Sequence, residues 1–401
     1  MRILFCNDSY PGRFGKMPSE LASDPENKVM FLSFYPRKED VSSGVIHARL
    51  NLKRDRERLS QSRDAFIAEW EKMFSLGKQE LQTFLHIRDA GFVPDMIFIS
   101  FFDGPALFLR HIFPRAFIVF YFSGFRSKAA DAGRLQAVMD LQRGMAAQSN
   151  LYFVRSEAQK TSFPPALHPI IHVWPPHVNM GFFAPRPRSI SMFFADISIA
   201  EGTELVTVHM KGAGSSQKKL MQVILGLLAH RPRCLAALTF GNGTAKDRWG
   251  QVLSSLPEDL RRRLFLAGGL DATAYRNLLC SSAVHIFPEH IRPPLQEMLE
   301  TMGCGTLLMT PVSKEADEFL KDGETIAAFP EEGRERQLEA ICRVLDHTEA
   351  FDPIREKGRR YVAEKCSDRA VFSHHLNFVM EEYRKFRETS PAPQPVSHSD
   401  M

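Results

Sequence analysis

Residues 283–305, AVHIFPEHIRPPLQEMLETMGCG, decide the fold more than any other stretch of the chain. They begin with a short apolar run at 283–287 that is typical of a buried strand, and they continue after a proline-containing loop with apolar residues at helical spacing. A strand followed by a helix is the repeating unit of a parallel α/β sheet. The first turn of the helix is predicted near residues 294–297, where free backbone N–H groups favour an anionic ligand.

The same pattern recurs in two series along the chain. The first series comprises residues 2–6, 28–34, 95–101, 116–122, 151–154 and 169–174. The second comprises residues 204–210, 234–240, 264–267, 283–287, 306–309 and 325–329. Between them lies a proline-rich stretch at 175–189 with few helix signals, so we place the domain boundary near residues 188–200. Nearly continuous apolar strands predict parallel sheets covered by helices on both faces.

The predicted domain organisation follows from these two series. An N-terminal Rossmann-like domain is expected over residues 1–188 and a C-terminal one over residues 200–367, which suits a chain of 401 residues. A helix over residues 368–388 is expected to pack back on the N-terminal domain, and residues 389–401 are Pro/Ser-rich and expected to be disordered. The charged segment 54–88 repeats apolar residues at helical spacing and predicts one or two amphipathic helices.

Composition excludes several classes of protein. The formal net charge is +4 from 51 basic and 47 acidic residues, without a long Lys/Arg block, so a nucleic-acid partner is not indicated. The six cysteines lack the spacing of a zinc site and are expected to be reduced. The N-terminal apolar run is too short for a signal peptide. The sequence contains no run of about 20 apolar residues, so no membrane-spanning helix is predicted. We therefore expect a cytoplasmic location.

Six motifs, in order along about residues 1–385, resemble glycosyltransferase family 4 and its relatives. They are RILFCNDSYPGRFG at 2–15, PDMI at 94–97, FVRSE at 153–157, IHVWPPHVN at 171–179, the 283–305 stretch where the family has LLEAMACG, and EFLKDG at 318–323. The resemblance implies a GT-B fold, in which two Rossmann-like domains face each other across a cleft and the C-terminal helix crosses back to the N-terminal domain. It also implies sugar transfer from a nucleotide-diphosphate-sugar donor, with retention at the anomeric carbon.

The resemblance places the donor site on the helix after residue 293. Glu300 matches the family's acidic residue that accepts hydrogen bonds from the ribose hydroxyls. The turn formed by Pro294, Leu295 and Gln296 is expected to hold the diphosphate on backbone N–H groups. Where many family members have a further glutamate, eight positions before Glu300, this chain has Arg292. We interpret Arg292 as a relocated phosphate clamp.

Other donor-side residues are candidates by position. Glu289 and Glu297 lie near Arg292 and are candidates to replace the missing glutamate. The alignment leaves His209 and Ser215 where the family usually has an arginine and a lysine. Nearby Lys211 and Lys218 are candidate phosphate ligands, and Gly243 and Gly269, each just after a strand, are expected to shape the nucleotide pocket. Surface charges and simple turns remain alternative explanations for these lysines and glycines.

The acceptor side is assigned to the N-terminal domain. Gly12 and Gly15 lie in the loop after the first strand and would let the backbone closely approach either the acceptor or the pyrophosphate of the donor, to whose binding group we assign them. Ser100 stands where family members often have a histidine, and Asp103 is the nearest candidate polar group in the cleft. A turn-forming role for Asp103 remains open. We assign Asp103, Glu289 and Arg292 to the catalytic group.

The expected partners are a nucleotide-sugar donor and a saccharide, lipid-linked or protein acceptor. No other cofactor and no metal are expected, because cationic side chains and helix N-termini take the place of a divalent ion. Peripheral membrane association stays open, and the sequence does not fix the oligomeric state. Two alternative functions also stay open: a degenerate GT-B protein that binds nucleotide or glycan or scaffolds an assembly without turnover, and a sugar-nucleotide epimerase.

Overall fold

A computed structural model describes residues 1–7, 10, 12–34, 44–50, 64–100, 108–122, 140, 143–194, 202–210, 215–240, 245–288, 294–312 and 316–389. The chain divides into two compact units. The first combines Met1–Pro175 with Val371–Met401, and the second is Pro176–Ala370. Each unit is built around its own parallel sheet.

The first unit contains a seven-stranded parallel sheet in the order β3-β2-β1-β4-β5-β6-β7. Its strands are β1 (Arg2–Cys6), β2 (Lys28–Ser33), β3 (Val45–Arg49), β4 (Met96–Ile99), β5 (Phe117–Tyr121), β6 (Leu151–Val154) and β7 (Ile171–Val173). Its helices are α1 (Met17–Ala22), α2 (Ala65–Asp89), α3 (Leu109–Ile112) and α4 (Glu157–Lys160), with short 3-10 turns at Gly12–Phe14 and Pro165–Ile170.

Alternate residues of the first sheet enter two separate cores, because successive side chains of a strand point to opposite faces. Leu4 and Cys6 of β1 pack with Phe84 of α2 on one face. Ile3 and Phe5 pack on the other face, which α1 and the C-terminal helix α12 (Asp368–Thr389) cover. Both faces are therefore buried, as the apolar strands predicted.

Helix α12 packs on the first sheet mainly through aromatic side chains. The Tyr383 ring lies 5.7 Å from that of Phe117, and the His375 imidazole stacks on Trp174 at 4.8 Å between ring centroids. His375 is also within 2.9 Å of the carbonyl oxygen of Val173, measured from its Nε2. The return of the C-terminal helix, part of the predicted fold, is thus present.

The second unit contains a six-stranded parallel sheet in the order β10-β9-β8-β11-β12-β13. Its strands are β8 (Glu204–Met210), β9 (Cys234–Phe240), β10 (Leu264–Gly268), β11 (Val284–Ile286), β12 (Leu307–Thr310) and β13 (Ala327–Ala328). Its helices are α5 (Ser215–His230), α6 (Ala245–Ser254), α7 (Glu258–Arg262), α8 (Ala272–Ser281), α9 (Leu295–Gly303), α10 (Arg334–Asp346) and α11 (Asp352–Lys365), and a 3-10 turn spans Thr348–Phe351.

The division between the units falls earlier in the chain than residues 188–200, where the sequence placed it. Ile190, Phe193 and Phe194 are buried in one core with Leu205 of β8 and Leu235 of β9. Val178 packs in another core of the second unit with apolar residues of α9. The proline-rich stretch therefore packs on the second sheet, which explains why the division lies at Pro175/Pro176.

Further details differ from the sequence-based expectation or refine it. Strand β3 was not predicted, and the expected strand at 325–329 shortens to Ala327–Ala328. The predicted amphipathic segment forms the single long helix α2 in its described part. The predicted disordered tail lies outside the described residues apart from Thr389, the end of α12. Among the helices that the structure describes, none is both long and apolar enough to span a bilayer.

Candidate functional site

The sheet order of the second unit fixes where a ligand is expected. Strand β8 lies between β9 and β11. The chain adds β9 and β10 on one side of β8, and then β11, β12 and β13 on the other side. In open α/β sheets, ligands bind at this reversal, beyond the carboxyl ends of the strands. Here those ends are Met210 of β8 and Ile286 of β11. Helix α9 follows β11 and belongs to this region.

The N-terminus of α9 presents backbone N–H groups that the helix itself does not use. Pro294 occupies the N-cap position and makes no side-chain cap, and the first intrahelical bond runs from Met298 N to the Pro294 carbonyl oxygen at 3.1 Å. Leu295 anchors this turn because its side chain is buried in the core. Glu297 also lies in the first turn, and its negative charge opposes an incoming anion. A bound diphosphate would therefore need additional cations.

Glu300 lies one turn further along α9 and does not project into bulk solvent. The Gln296 amide donates to Glu300 Oε1 at 2.9 Å and to the carbonyl oxygen of His177 at 2.8 Å. Burial raises the pKa of the Glu300 carboxyl to about 8, and the charge of Glu297 adds to the rise while the Gln296 hydrogen bond opposes it. A desolvated carboxyl group with a perturbed pKa marks a candidate functional site. It suits hydrogen bonding to paired hydroxyl groups.

Tyr275 of α8 is a neighbour of Glu300 that the sequence analysis missed. Its phenol is buried, and its pKa is raised well above the usual range, first by burial and then by the charges of Glu300 and Glu297. No local motif marks Tyr275, because its proximity to α9 arises only from the packing of α8 and α9. The Tyr275 phenol is thus near enough to Glu300 for the charge of the carboxyl group to affect its pKa.

His209 lies at the end of β8, where the resemblance placed a phosphate ligand. Its imidazole stacks on the Phe287 ring with 5.1 Å between ring centroids, and the ring of His285 makes a T-shaped contact with Phe287 at 4.6 Å between centroids. His285 is fully buried, and its Nδ1 lies 2.5 Å from the hydroxyl oxygen of Thr207. Burial, and then the charge of His209, lowers the pKa of His285 well below its usual value. His285 is therefore neutral in the folded protein.

The other described donor-side candidates do not all converge on α9. Lys218 is exposed on α5, and only the backbone of Ser215 in the same helix is described. Gly269 follows the edge strand β10 with φ 70°. Three strand spacings separate β10 from β11, or about 14 Å. Gly269 therefore lies away from the start of α9, and its conformation is that of a turn glycine.

In the first unit, the corresponding reversal lies between β1 and β4. Asn7 follows β1 and Ser100 follows β4, and the buried Ser100 hydroxyl donates to Asn7 Oδ1. Gly12 packs against the same asparagine: at its φ of 56°, an added Cβ would fall 1.6 Å from Asn7 Nδ2. Gly15 also has positive φ. Glycine is thus favoured at position 12, and Asn7 is a candidate residue of this region that the sequence analysis missed.

Five candidates lie outside the described residues, so the structure does not place them. They are Asp103, Lys211, Gly243, Glu289 and Arg292. All three members of the predicted catalytic group are among them. The described part of the candidate site is the donor side, formed by the start of α9, Glu300, Tyr275 and His209. Within the described ranges, no group of three His, Cys, Asp or Glu side chains is arranged to hold a metal ion.

Comparison with known proteins supports the resemblance seen in the sequence. Residues 25–180 match the family model described as the Glycosyl transferase family 4 group. This match confirms the resemblance for most of the first unit. No curated protein matches the chain by sequence.

Solved structures establish the fold across nearly the whole chain. Sucrose-phosphate synthase from Thermosynechococcus elongatus superposes with a TM-score of 0.70 and 13% identity, covering 97% of this chain and 100% of that one. Anabaena Alr3699/HepE in complex with UDP-glucose gives 0.66 and 14%, covering 97% and 99%. A putative UDP-N-acetylglucosamine 2-epimerase from Listeria monocytogenes gives 0.62 and 12%, covering 99% of both chains. The predicted GT-B fold is confirmed, and the fold alone does not distinguish transferase from epimerase.

Proposed function

We propose that the protein is a retaining glycosyltransferase that binds a nucleotide-diphosphate-sugar donor on its second unit. The observation that carries the proposal is Glu300, a buried carboxyl group on α9 at the reversal of the second sheet. A carboxyl group in this place suits the two hydroxyls of a ribose, which is the role that the family resemblance implies. The match of residues 25–180 to glycosyltransferase family 4 and the structural likeness to a protein solved with UDP-glucose support the same proposal.

The donor's phosphates would lie at the N-terminus of α9. Backbone N–H groups there and the positive end of the helix dipole favour the growing charge of the leaving diphosphate. Because Glu297 opposes that charge, cations must complete the site, and His209, Lys211, Lys218 and Arg292 are the candidates. In this proposal, positively charged side chains carry out the task that a divalent metal performs elsewhere.

The first unit would supply the acceptor side, with Gly12 and Gly15 allowing close backbone approach and Asp103 as the candidate polar group. The acceptor hydroxyl must attack on the face from which the diphosphate departs for the anomeric configuration to be retained. Acceptors of the saccharide, lipid-linked or protein class are all consistent with the chemistry. Exclusion of water from the reacting centre would protect the donor from hydrolysis.

The alternative function is nucleotide or glycan binding without turnover. The substitutions relative to the family at Arg292, His209, Ser215 and Ser100 favour this alternative. The structure adds one observation: His209 is stacked on Phe287, a contact that gives the imidazole a packing role independent of phosphate. The two functions share the donor site and differ only in whether a sugar is transferred.

A nucleotide screen followed by a transfer assay tests the proposal. We expect one of UDP, GDP or ADP, or its sugar, to raise the melting temperature, because a ligand at 100 times its Kd adds about 2.7 kcal/mol to the folded state. For a domain of this size that corresponds to a rise of roughly 5–10 °C. The stabilising nucleotide sugar is then incubated with acceptor mixtures, and nucleoside diphosphate release is measured.

The outcomes separate the functions. Acceptor-dependent release of nucleoside diphosphate supports the transferase, and an α-linked product from an α-linked donor supports retention. Binding without release would favour the non-catalytic alternative, and conversion of the donor sugar without acceptor would indicate an epimerase. If no nucleotide or nucleotide sugar changes the melting temperature, the proposed donor site is wrong.

A further inference from the structure

The turn after strand β1 carries an arginine to the carboxyl edge of the first sheet. Phe14 anchors this turn, because its buried ring packs on Phe5 at 5.2 Å and on Phe98 at 5.9 Å between ring centroids. Arg13 precedes Phe14 and is exposed, and its guanidinium lies 5.9 Å from the centre of the Tyr121 ring. A cation within about 6 Å of an aromatic ring is attracted to it. Arg13 is therefore held at the end of β5.

Arg155 brings a second cation to the same edge. Tyr121 of β5 pairs with Phe153 of β6, so their side chains lie on one face of the sheet. The pairing with β7 continues past the end of β6, since the Trp174 N–H donates to the Val154 carbonyl oxygen at 2.7 Å. Arg155 follows Phe153 by two residues and therefore belongs to the same face as Tyr121. Its side chain is half-buried, and its charge acts on the Tyr121 phenol.

The phenol of Tyr121 does not neutralise the two arginines. Burial raises its pKa, and the charges of the arginines oppose the rise without reversing it. Tyr121 therefore keeps its proton at neutral pH, and its hydroxyl donates to the carbonyl oxygen of Trp174 at 3.1 Å. The acidic residue nearest to Arg155 in the sequence is Glu157, which is exposed in the first turn of α4.

Trp174 adds an indole donor on the same face of the sheet. Its ring meets the Tyr121 ring at 5.7 Å and the Phe153 ring at 4.9 Å between centroids. The side chain is buried, and its Nε1–H has no acceptor in the described part of the chain. Such buried donors are rare, and an ordered water or a bound oxygen atom normally satisfies them. Donors combined with positive charge favour an oxyanion as the ligand of this edge.

We propose that Arg13 and Arg155 form a phosphate subsite on the first unit and that the acceptor carries its phosphate monoester there. Guanidinium groups bind phosphate oxygens through paired N–H donors, and two guanidinium groups balance the charge of a phosphate dianion. The acceptor class thereby narrows to phosphorylated molecules, of which a soluble sugar phosphate and a lipid-linked phosphate share this chemistry. The inference deepens the proposed function and rests on its assignment of the acceptor to the first unit.

Titration of inorganic phosphate in the absence of nucleotide tests the subsite separately from sugar transfer. We expect calorimetry to detect binding to the folded, full-length protein, and Arg13→Ala and Arg155→Gln each to weaken it by roughly tenfold or more. Arg115→Ala removes an equally charged, exposed residue two positions before β5, at the opposite edge of the sheet, and should bind as the parent does. Glu157→Gln removes a negative charge and should bind at least as tightly as the parent.

Three results would overturn the subsite: no phosphate binding by the parent at millimolar concentrations, unchanged binding in both arginine variants, or an equal loss in Arg115→Ala. Circular dichroism checks the fold of each variant. If Arg155→Gln does not fold, Arg13→Ala decides alone, because Arg13 is exposed in a turn. Both variants should keep the parent's affinity for the nucleotide, which binds on the second unit. A matching loss of nucleotide affinity would assign the arginines to the donor and overturn the acceptor assignment.

Two pairs of probes distinguish the sources of the phosphate. Hexose phosphates are compared with the same free hexoses, and undecaprenyl phosphate is compared with undecaprenol in detergent micelles. We expect the phosphorylated member of one pair to compete with inorganic phosphate in the parent but not in Arg13→Ala. Competition by neither pair would overturn the acceptor assignment. If phosphate binds as expected and no nucleotide sugar is consumed, the proposed transferase function fails while the phosphate subsite stands.

Discussion

Replacing Glu300 with glutamine is expected to change how the stability of the protein depends on pH. The folded-state pKa of Glu300 is raised from an ordinary 4.5 to about 8. Between these values the folded state keeps a proton that the unfolded chain has released, so stability falls as pH rises. The slope is at most about 1.4 kcal/mol per pH unit, and it disappears above the folded pKa. Glutamine does not titrate and removes this contribution.

The size of the stability change follows from the width of the pH interval between the unfolded-state and folded-state pKa values of Glu300. The full slope from pH 4.5 to about 8 gives an upper bound of about 5 kcal/mol. Glu300 is only partly buried as a residue, and water penetration reduces the cost of its charge, so we expect about 2 kcal/mol. Relative to the parent protein, Glu300→Gln should therefore become progressively more stable between pH 5 and pH 8.

Differential scanning calorimetry at pH 5, 6, 7 and 8 measures this difference. Calorimetry can separate the unfolding transitions of the two compact units, which a single two-state fit would combine. Glu297→Gln removes a carboxyl group from the same helix and is the control, with a smaller pH-dependent difference expected. If the difference between Glu300→Gln and the parent is the same at pH 5 and pH 8, the assignment of a buried, perturbed carboxyl group is refuted.

Three other predictions concern separate parts of the molecule. An alanine Cβ at Gly358 would lie 2.9 Å from the Thr325 carbonyl oxygen, so Gly358→Ala should lose about 1–3 kcal/mol of stability in urea unfolding. Gly250 has open space around an added Cβ, so Gly250→Ala should gain about 0.5–1 kcal/mol. The opposite order of stabilities would contradict the packing around Gly358. Burial lowers the pKa of His285, so the parent protein should lose stability as the pH falls below 6.5. His285→Gln should lose less stability than the parent between pH 7 and pH 5, as measured by melting curves. The same loss in both proteins would refute the burial of His285 as a neutral group. Arg292→Ala should weaken nucleoside diphosphate binding more than nucleoside binding, by about 1.5–3 kcal/mol in calorimetric titration, and equal losses would exclude a phosphate contact.

The sequence predicted the two parallel sheets because their strands are nearly continuous apolar runs followed by helical patterns. Strand β3 escaped prediction because its sequence VIHAR alternates weakly and lies at the edge of the sheet, where one side lacks a strand partner. Pairing with β2 supplies its stability, and such pairing is not a local property of the sequence. The same limitation explains why the proline-rich stretch was placed in the N-terminal domain.

In the candidate site, too, some residues could be predicted from the local sequence and others could not. Glu300 was a candidate because its helix, its spacing and the family motif all lie within one short stretch. Tyr275 and Asn7 were not candidates, because their significance depends on contacts between segments far apart in the sequence. Burial and the hydrogen bond from Gln296 likewise determine the pKa of Glu300, and neither is visible in the sequence.

Calorimetric titration of the stabilising nucleotide into the parent protein, Glu300→Gln and Glu297→Gln tests the central claim most directly. The account predicts that Glu300→Gln weakens binding by about 1–3 kcal/mol, or roughly 5- to 150-fold in Kd, because glutamine keeps only one of the two carboxyl oxygen atoms that hydrogen-bond to the ribose hydroxyls. Glu297→Gln should bind as tightly as the parent or more tightly, since it removes a negative charge beside the phosphates. Circular dichroism should show an unchanged fold for both variants. Identical affinity of the parent and Glu300→Gln for every nucleotide would contradict the assignment of the donor site to α9.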